Sequence, residues 1–193
     1  MTSAEPKTVA LLDACVLYPP SLRDLLMRVA VAGVYEPRWT EEIHDEWTRN
    51  VLLNSPGVTP TQLERTRSLM NQTIPDGLVS GYEALVPGLS LPDANDRHVL
   101  AAAIKASVAV IVTFNLSDFP ATILQAHGIR PAHPDLFLST LFDDDPALFL
   151  QAAQTHRASL RNPPKDEAGY VQTLRINGLK ELALRLEADL SRI

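Results

Sequence analysis

The stretch DANDRHVLAAAIKASVAVIVTFNLSDFP, residues 93–120, decides how this chain folds. Its centre is an alanine-rich apolar segment that reads as a buried helix. The run VAVIVTF that follows has the continuous apolarity of a strand buried on both faces, as in a parallel sheet. The spacing predicts Asp93 as the helix N-cap and Asp96 at the third helical position, near the positive helix end. A buried helix needs one polar cap there. The second carboxylate has no structural task, and two carboxylates repel unless something neutralises them. A bound metal ion is the reading that gives Asp96 a purpose.

Working outward, TVALLDACVLY supplies another buried strand, Val9–Leu12, closed by Asp13. SLRDLLMRVAVAG reads as a helix capped by Ser21, with Leu22, Leu25, Leu26 and Val29 on one face and Gly33 at its end. VYEPRW is a short extended piece, because Pro37 forbids a long regular strand. TEEIHDEWTRNVL is a second helix, with Thr40 as N-cap and Ile43, Trp47 and Val51 as its apolar stripe. The segment 54–89 is helical around 62–71 and otherwise rich in Pro, Gly and Ser. A weaker βα-like piece, ILQAHGIRPAHPDLFL, follows residue 120. This alternation predicts an α/β fold with a mostly parallel sheet. From about Asp143 only helices remain, DPALFLQAAQTHRASL and NGLKELALRLEADL, separated by the turn RNPPKDE. The expected organisation is one domain over 1–140 and a helical extension over 141–193.

Composition narrows the function. The chain has 193 residues, 46% hydrophobic and 21% charged, ordinary values for a globular protein with its own core. One cysteine rules out an internal disulfide framework and suits a reducing compartment. The start, MTSAEPKTVALLDAC, lacks the basic and apolar regions of a signal peptide, and no apolar run approaches the roughly 20 residues that span a bilayer. A cytoplasmic protein without a membrane partner is expected. The net charge of −6 is uneven: residues 1–150 hold ten Lys/Arg against 18 Asp/Glu, and residues 151–193 hold seven against five. The mildly basic tail permits local contact with a polyanion.

Open parallel sheets bind ligands beyond the carboxyl ends of their strands. Asp13 ends the first strand, Asn115 and Asp118 follow VAVIVTF, and Asp96 opens the helix before it. Glu42 and Glu46 lie four apart on one helix face, where like charges cost a few tenths of a kcal/mol. Solvent relieves Glu42, whereas Glu46 abuts Trp47 and looks inward. Several carboxylates without a histidine–cysteine cluster select a hard cation, Mg²⁺ or Mn²⁺, of the kind that works on phosphate esters. Each acid also has a bland reading as a turn or cap residue. Cys15 reads as a thiol packed beside the first strand, His98 as a structural histidine, and Trp39 and Trp47 as core. A haloacid-dehalogenase-like phosphatase would need an Asp where Cys15 stands, and neither GxxxxGK[ST] nor GxGxxG is present.

With LLDACVL, EIHDEWTRNVL, DANDRHVLAAAI and IVTFNLSDFP in this order, the chain resembles the PIN-domain ribonucleases, the fold of VapC-type toxins in bacterial toxin–antitoxin pairs. The motifs cover about residues 8–135, roughly two thirds of the chain. The resemblance implies an α/β PIN-like three-layer sandwich around a central mostly parallel sheet, plus the C-terminal helical extension. It implies a metal-dependent endoribonuclease, and a site rich in carboxylates without a paired histidine set predicts 5′-phosphate and 3′-hydroxyl ends. By motif position the catalytic acids are Asp13, Glu46, Asp96 and Asp118. Asp13, Asp96 and Asp118 are the ligands of Mg²⁺ or Mn²⁺, and Thr113 and Asn115 are supporting polar residues. Many relatives carry Asp where Asn115 stands, which leaves one ion or two open. The implied partners are RNA, with tRNA as the family's suggestion, a cognate antitoxin, and a second copy of the chain. A stand-alone RNA-processing nuclease and an inactive RNA-binding module are the alternatives, and the four acids together argue against the second.

The tail carries its own expectation. Leu179, Leu182, Ala183, Leu186 and Leu190 share one helical stripe, which predicts docking on the domain that precedes it. Docking would leave Arg157, Arg161, Lys165, Arg175, Lys180 and Arg185 facing outward. Arg97, Arg157, Arg161 and Lys165 are the candidate contacts to RNA phosphates.

Overall fold

A computed structural model describes residues 7–193; the first six residues, part of the start read as lacking a signal peptide, lie outside it. Four strands form one parallel sheet, β1 (Val9–Leu12), β2 (Glu36–Arg38), β3 (Val110–Val112) and β4 (Arg130–Ala132), in the order β2-β1-β3-β4. The fold is α/β and PIN-like with additional C-terminal helices. Ala10, Leu11 and Leu12 of β1 and all of β3 are fully buried, as continuous apolar runs demand of central parallel strands. Pro37 is tolerated because β2 lies at the sheet edge, where one ladder partner is missing anyway.

After β1 the chain makes a single turn, α1 (Ala14–Leu17), and then α2 (Pro20–Val31) leads to β2. Helices α3 (Glu41–Asn54), α4 (Pro60–Thr73) and α5 (Arg97–Lys105) connect β2 to β3, crossing back over β1. Right-handed crossovers therefore put α2 on one face of the sheet and α5 on the other. The crevice where the two directions part lies between the carboxyl ends of β1 and β3. Thr40 caps α3 by accepting from the Ile43 N–H at 3.1 Å, and Ile43 and Trp47 are fully buried. Trp39 and Trp47 are core residues. Their indole N–H groups donate to Asn71 and His44, at 2.8 and 2.9 Å.

Ser21 does not cap α2: Pro20 occupies its first turn, where a missing N–H costs nothing. Gly33 at φ +84° lets the chain leave that helix. Asp93 is a cap, accepting from the Asn95 N–H at 2.8 Å, but it opens a short 3₁₀ turn, Ala94–Asp96, and α5 starts only at Arg97. Asp96 sits at the junction of the two and caps nothing.

After β3 come a short helix, α6 (Ala121–Leu124), then β4 and α7 (Pro134–Asp144), within which the expected 140/141 division falls. The tail holds α8 (Pro146–Ser159), α9 (Glu167–Ile176) and α10 (Lys180–Glu187). Helix α9 has no counterpart in the sequence reading; Asp166, inside the expected turn, caps it through the Gly169 N–H at 2.7 Å. Helix α8 packs along α2, and α10 packs on α7 and α9. The stripe docks as its period requires, with Leu179, Leu182, Ala183 and Leu186 buried and Leu190 partly so. Leu179 offers no side-chain cap to α10. Asp135, 46 residues upstream, caps it instead, accepting from the Glu181 and Leu182 N–H groups at 2.9 and 3.0 Å. Among the described residues no helix is long and apolar enough to cross a membrane.

Candidate active site

Asp13 stands where β1 ends, at the crevice between β1 and β3, and is only 6% exposed. Its Oδ1 accepts from the Ala14 N–H at 2.6 Å, which caps α1. Its Oδ2 accepts from the Thr113 hydroxyl at 2.7 Å and from the Cys15 thiol at 3.0 Å. Thr113 is fully buried one residue beyond β3, and its Oγ1 in turn accepts from the Asn115 N–H at 2.9 Å. This buried polar web fixes the Asp13 carboxylate before any ligand arrives. The exposed Asn115 enters it through its backbone, and Asp118 N–H donates to the Asn115 carbonyl at 3.1 Å.

Asp96, at the entrance to α5, is half-buried among like charges. Burial, then the charges of Asp13, Asp93, Asp118 and Glu46, raise its pKa to about 6. The four acids singled out by the sequence thus converge on one edge of the sheet. They do not collapse together: no three of them form a group with ligand atoms all within 4.8 Å of one another. Among the described residues, the one such group is Glu42, Glu46 and His98. An uncompensated cluster of oxygen donors at the sheet's ligand edge suits a hard divalent cation, which would relieve the repulsion that now burdens Asp96.

The sequence reads His98 as a structural histidine and Glu42 as a solvated charge; the structure brings both to Glu46. His98 is buried on α5 with Nε2 3.0 Å from Glu46 and Nδ1 3.5 Å from Glu42, and the Tyr82 hydroxyl donates to Glu42 at 3.2 Å. Burial pulls the imidazole down, but contact with Glu46 and the charges of Glu46, Glu42 and Asp96 outweigh it and raise its pKa. The i, i+4 pair on α3 carries part of this signal; the approach of α5 to α3 is a tertiary fact no local spacing contains. Cys15 is partly buried, and besides packing it is wired into the site: its sulfur also accepts from the Phe114 N–H at 3.2 Å. Burial and then Asp13 push its thiol up to about 12, so it stays protonated and donates.

The cationic candidates divide. Arg97 bends back to donate to the Ala94 carbonyl at 2.8 Å, beside Asp96. Arg157 is occupied by Glu167 at 3.0 Å and by the Lys165 carbonyl. Arg161 is exposed and Lys165 partly so. Of the six tail cations expected to face outward, three are held in ion pairs, whereas Arg161, Lys165 and Lys180 are in none among the described residues. Arg175 pairs with Glu187, and Arg185 pairs with Asp143 and Glu181.

Acids gathered at the β1–β3 crevice of a parallel α/β sheet form a class of site whose oxygen donors could hold a hard divalent cation. The family is given by comparison: a PIN-domain family model matches residues 8–117, and the chain belongs to the PIN-domain family. A second model, the VapC50 C-terminal domain, matches residues 134–188. The chain is 39% identical over 80 residues to a curated protein of Mycobacterium tuberculosis (strain ATCC 25618 / H37Rv) named "Putative ribonuclease VapC50". That match covers 39% of this chain and 47% of the relative, about half the relative's length. No solved structure matches.

Proposed function

We propose that this chain is a divalent-metal-dependent endoribonuclease, the toxin of a VapBC-type pair, with the nuclease in residues 1–140 and a helical extension in 141–193. The observation that carries the reading is the crowding of Asp96 by Asp13, Asp118 and Glu46 at the ligand-binding edge of a PIN fold. A structural cluster would be selected to avoid that cost, whereas a cation-binding one needs it. The name of the Mycobacterium tuberculosis relative supports the choice of RNA as substrate.

Asp13, Asp96 and Asp118 would hold the Mg²⁺ or Mn²⁺ ion, which when bound supplies charge neutralisation at the phosphoryl oxygens and makes water more acidic. Thr113, Ala14 and Cys15 keep Asp13 in one rotamer, so that ligand need not be reordered during turnover. Glu46 lies beside the trio and accepts the proton of the attacking water. Arg97 meets the phosphate next to the scissile bond. Helix α8 ends beside the start of α2, with the Ser159 hydroxyl donating to Asp24 at 3.2 Å. Arg161 and Lys165, which follow α8 in the chain, would extend the RNA path.

RNA incubated with the protein and Mg²⁺ is expected to yield fragments with 5′-phosphate and 3′-hydroxyl ends, and none in EDTA. Cyclic-phosphate ends, or undiminished cleavage in EDTA, would overturn the reading. The toxin role is tested by expression alone, which should arrest bacterial growth unless Asp13 is replaced by Ala. Harmless expression of an active nuclease would favour stand-alone RNA processing.

A further inference from the structure

His98 is 4% exposed, yet neither ring nitrogen makes an aligned hydrogen bond, although Glu46 and Glu42 approach to 3.0 and 3.5 Å. The two carboxylates lie in ion-pair range, yet buried N–H and lone-pair sites left without an aligned hydrogen bond cost free energy, so the arrangement needs a reason. An imidazolium clamped between two carboxylates would aim its N–H groups at their oxygens. Here the oxygens lie off those directions. Two donor atoms about 3 Å apart and off-axis form instead the edge of a coordination shell with bonds of about 2.1 Å at right angles.

We propose that Glu42, Glu46 and His98 form a second cation site, distinct from the Asp13–Asp96–Asp118 cluster and selective for a transition-metal ion such as Mn²⁺ over Mg²⁺. The donor atoms of the three residues all lie within 4.8 Å of one another, close enough for one ion after small side-chain shifts. Two carboxylates balance a divalent charge, and the imidazole coordinates once the ion has displaced the proton that the carboxylates favour. Imidazole nitrogen is the donor that manganese and zinc accept more readily than magnesium does. Tyr82, donating to Glu42 at 3.2 Å, orients one ligand as outer partners of metal sites commonly do. A cavity of about 430 Å³ lined by Glu42, Tyr82, Glu83, Asn95 and His98 gives the ion an entry path and room for the waters that complete its shell. Glu46 faces both clusters, so an ion here would also hold that side chain in place.

The test is Mn²⁺ titration of the full chain in excess Mg²⁺, with free Mn²⁺ followed by electron paramagnetic resonance. Wild type should retain one tightly bound Mn²⁺. Asp96→Asn, crippled in the acid cluster, should retain it too, which separates this site from the nuclease reading. Glu42→Gln, a change at an exposed position that leaves the core intact, and His98→Gln should each weaken binding at least tenfold. Titrations of Glu42→Gln and His98→Gln that match wild type would overturn the proposal. So would loss of the ion in Asp96→Asn, or no Mn²⁺ retained by wild type.

Discussion

Around Asp96 four other carboxylates press on one half-buried acid, whereas in the C-terminal helices opposite charges sit side by side. Arg157 meets Glu167, Arg175 meets Glu187, Arg185 meets Asp143 and Glu181, and Arg192 meets Asp189. Exposed pairs of this kind are worth only about 0–1 kcal/mol each, so they do not hold the tail down. The buried leucines and the Asp135 cap do that. What the pairs do is tie up Arg157, Arg175, Arg185 and Arg192, while Arg161, Lys165 and Lys180 stay outside them. The contrast teaches where electrostatic conflict has been kept and where it has been settled.

The sharpest break in that contrast comes from the acids. Asp13→Ala or Asp96→Asn should lower RNA cleavage on the order of a thousandfold, the scale of losing one main electrostatic element of a site. Asp93→Asn should change it little, because Asn caps almost as well as Asp. Gel-based cleavage rates check both; a dead Asp93→Asn beside an active Asp96→Asn would reverse the roles assigned to the two.

Next in size is the support of Asp13. Thr113→Val keeps the shape of a fully buried side chain but removes the 2.7 Å hydrogen bond to Oδ2. Loss of such an outer partner typically costs about 10–100-fold in metal affinity or activity. Mg²⁺ dependence of the cleavage rate reads it, and an unchanged half-saturation would show that Asp13 needs no such support.

The tail gives a smaller effect that separates paired from free charges. Arg161→Gln and Lys165→Gln should each flatten the salt dependence of RNA binding by roughly 0.7 in log–log slope for every phosphate left without its cation. Arg157→Gln should do less, since Glu167 already holds that guanidinium. Equal effects from all three would mean that RNA displaces the ion pairs.

The subtlest effect is acid-sensitive docking of α8 on α2. His156 is fully buried between them, bonded to the Tyr170 hydroxyl at 2.9 Å and 3.7 Å from Asp24. Burial depresses its pKa, with Asp24 opposing and Arg28 assisting. The unfolded chain therefore binds the proton more readily than the native one. The stability contributed by neutral His156 is complete above about pH 6.5 and is lost as pH falls toward the depressed value, by about 1–2 kcal/mol at pH 5. His156→Gln should unfold with a flatter pH profile between 7 and 5 in thermal melts. A profile parallel to wild type would exclude this histidine.

Much of this architecture is legible in the sequence. Continuous apolar runs ended by Asp13 and by Thr113 mark the two central strands and their place around the site, and the stripe from Leu179 to Leu190 marks a docked helix. What stays hidden depends on contacts between distant segments. The Asp135 carboxylate reaches α10 across 46 residues, so no local capping signal marks that helix start. Cys15 joins the site because β1 and β3 are neighbours, and His98 meets Glu42 and Glu46 because α5 lies beside α3. Helix α9 is masked by the Pro-rich turn before it, whose last residues include the cap itself.

The conflict at Asp96 exists, on this reading, to be relieved by a cation. Its raised pKa of about 6 means that ionised Asp96 weighs against the native state above that pH, and that the cost fades toward pH 4. The direct measurement is thermal unfolding of wild type and Asp96→Asn at pH 8, with and without Mg²⁺. Without Mg²⁺ the variant should unfold about 2–4 °C higher, on the order of 1 kcal/mol after allowance for Asp96's partial exposure. Mg²⁺ should raise wild type and leave the variant nearly unmoved. A variant that melts below wild type without metal, or Mg²⁺ that shifts neither protein, would contradict a cation-binding role for this cluster.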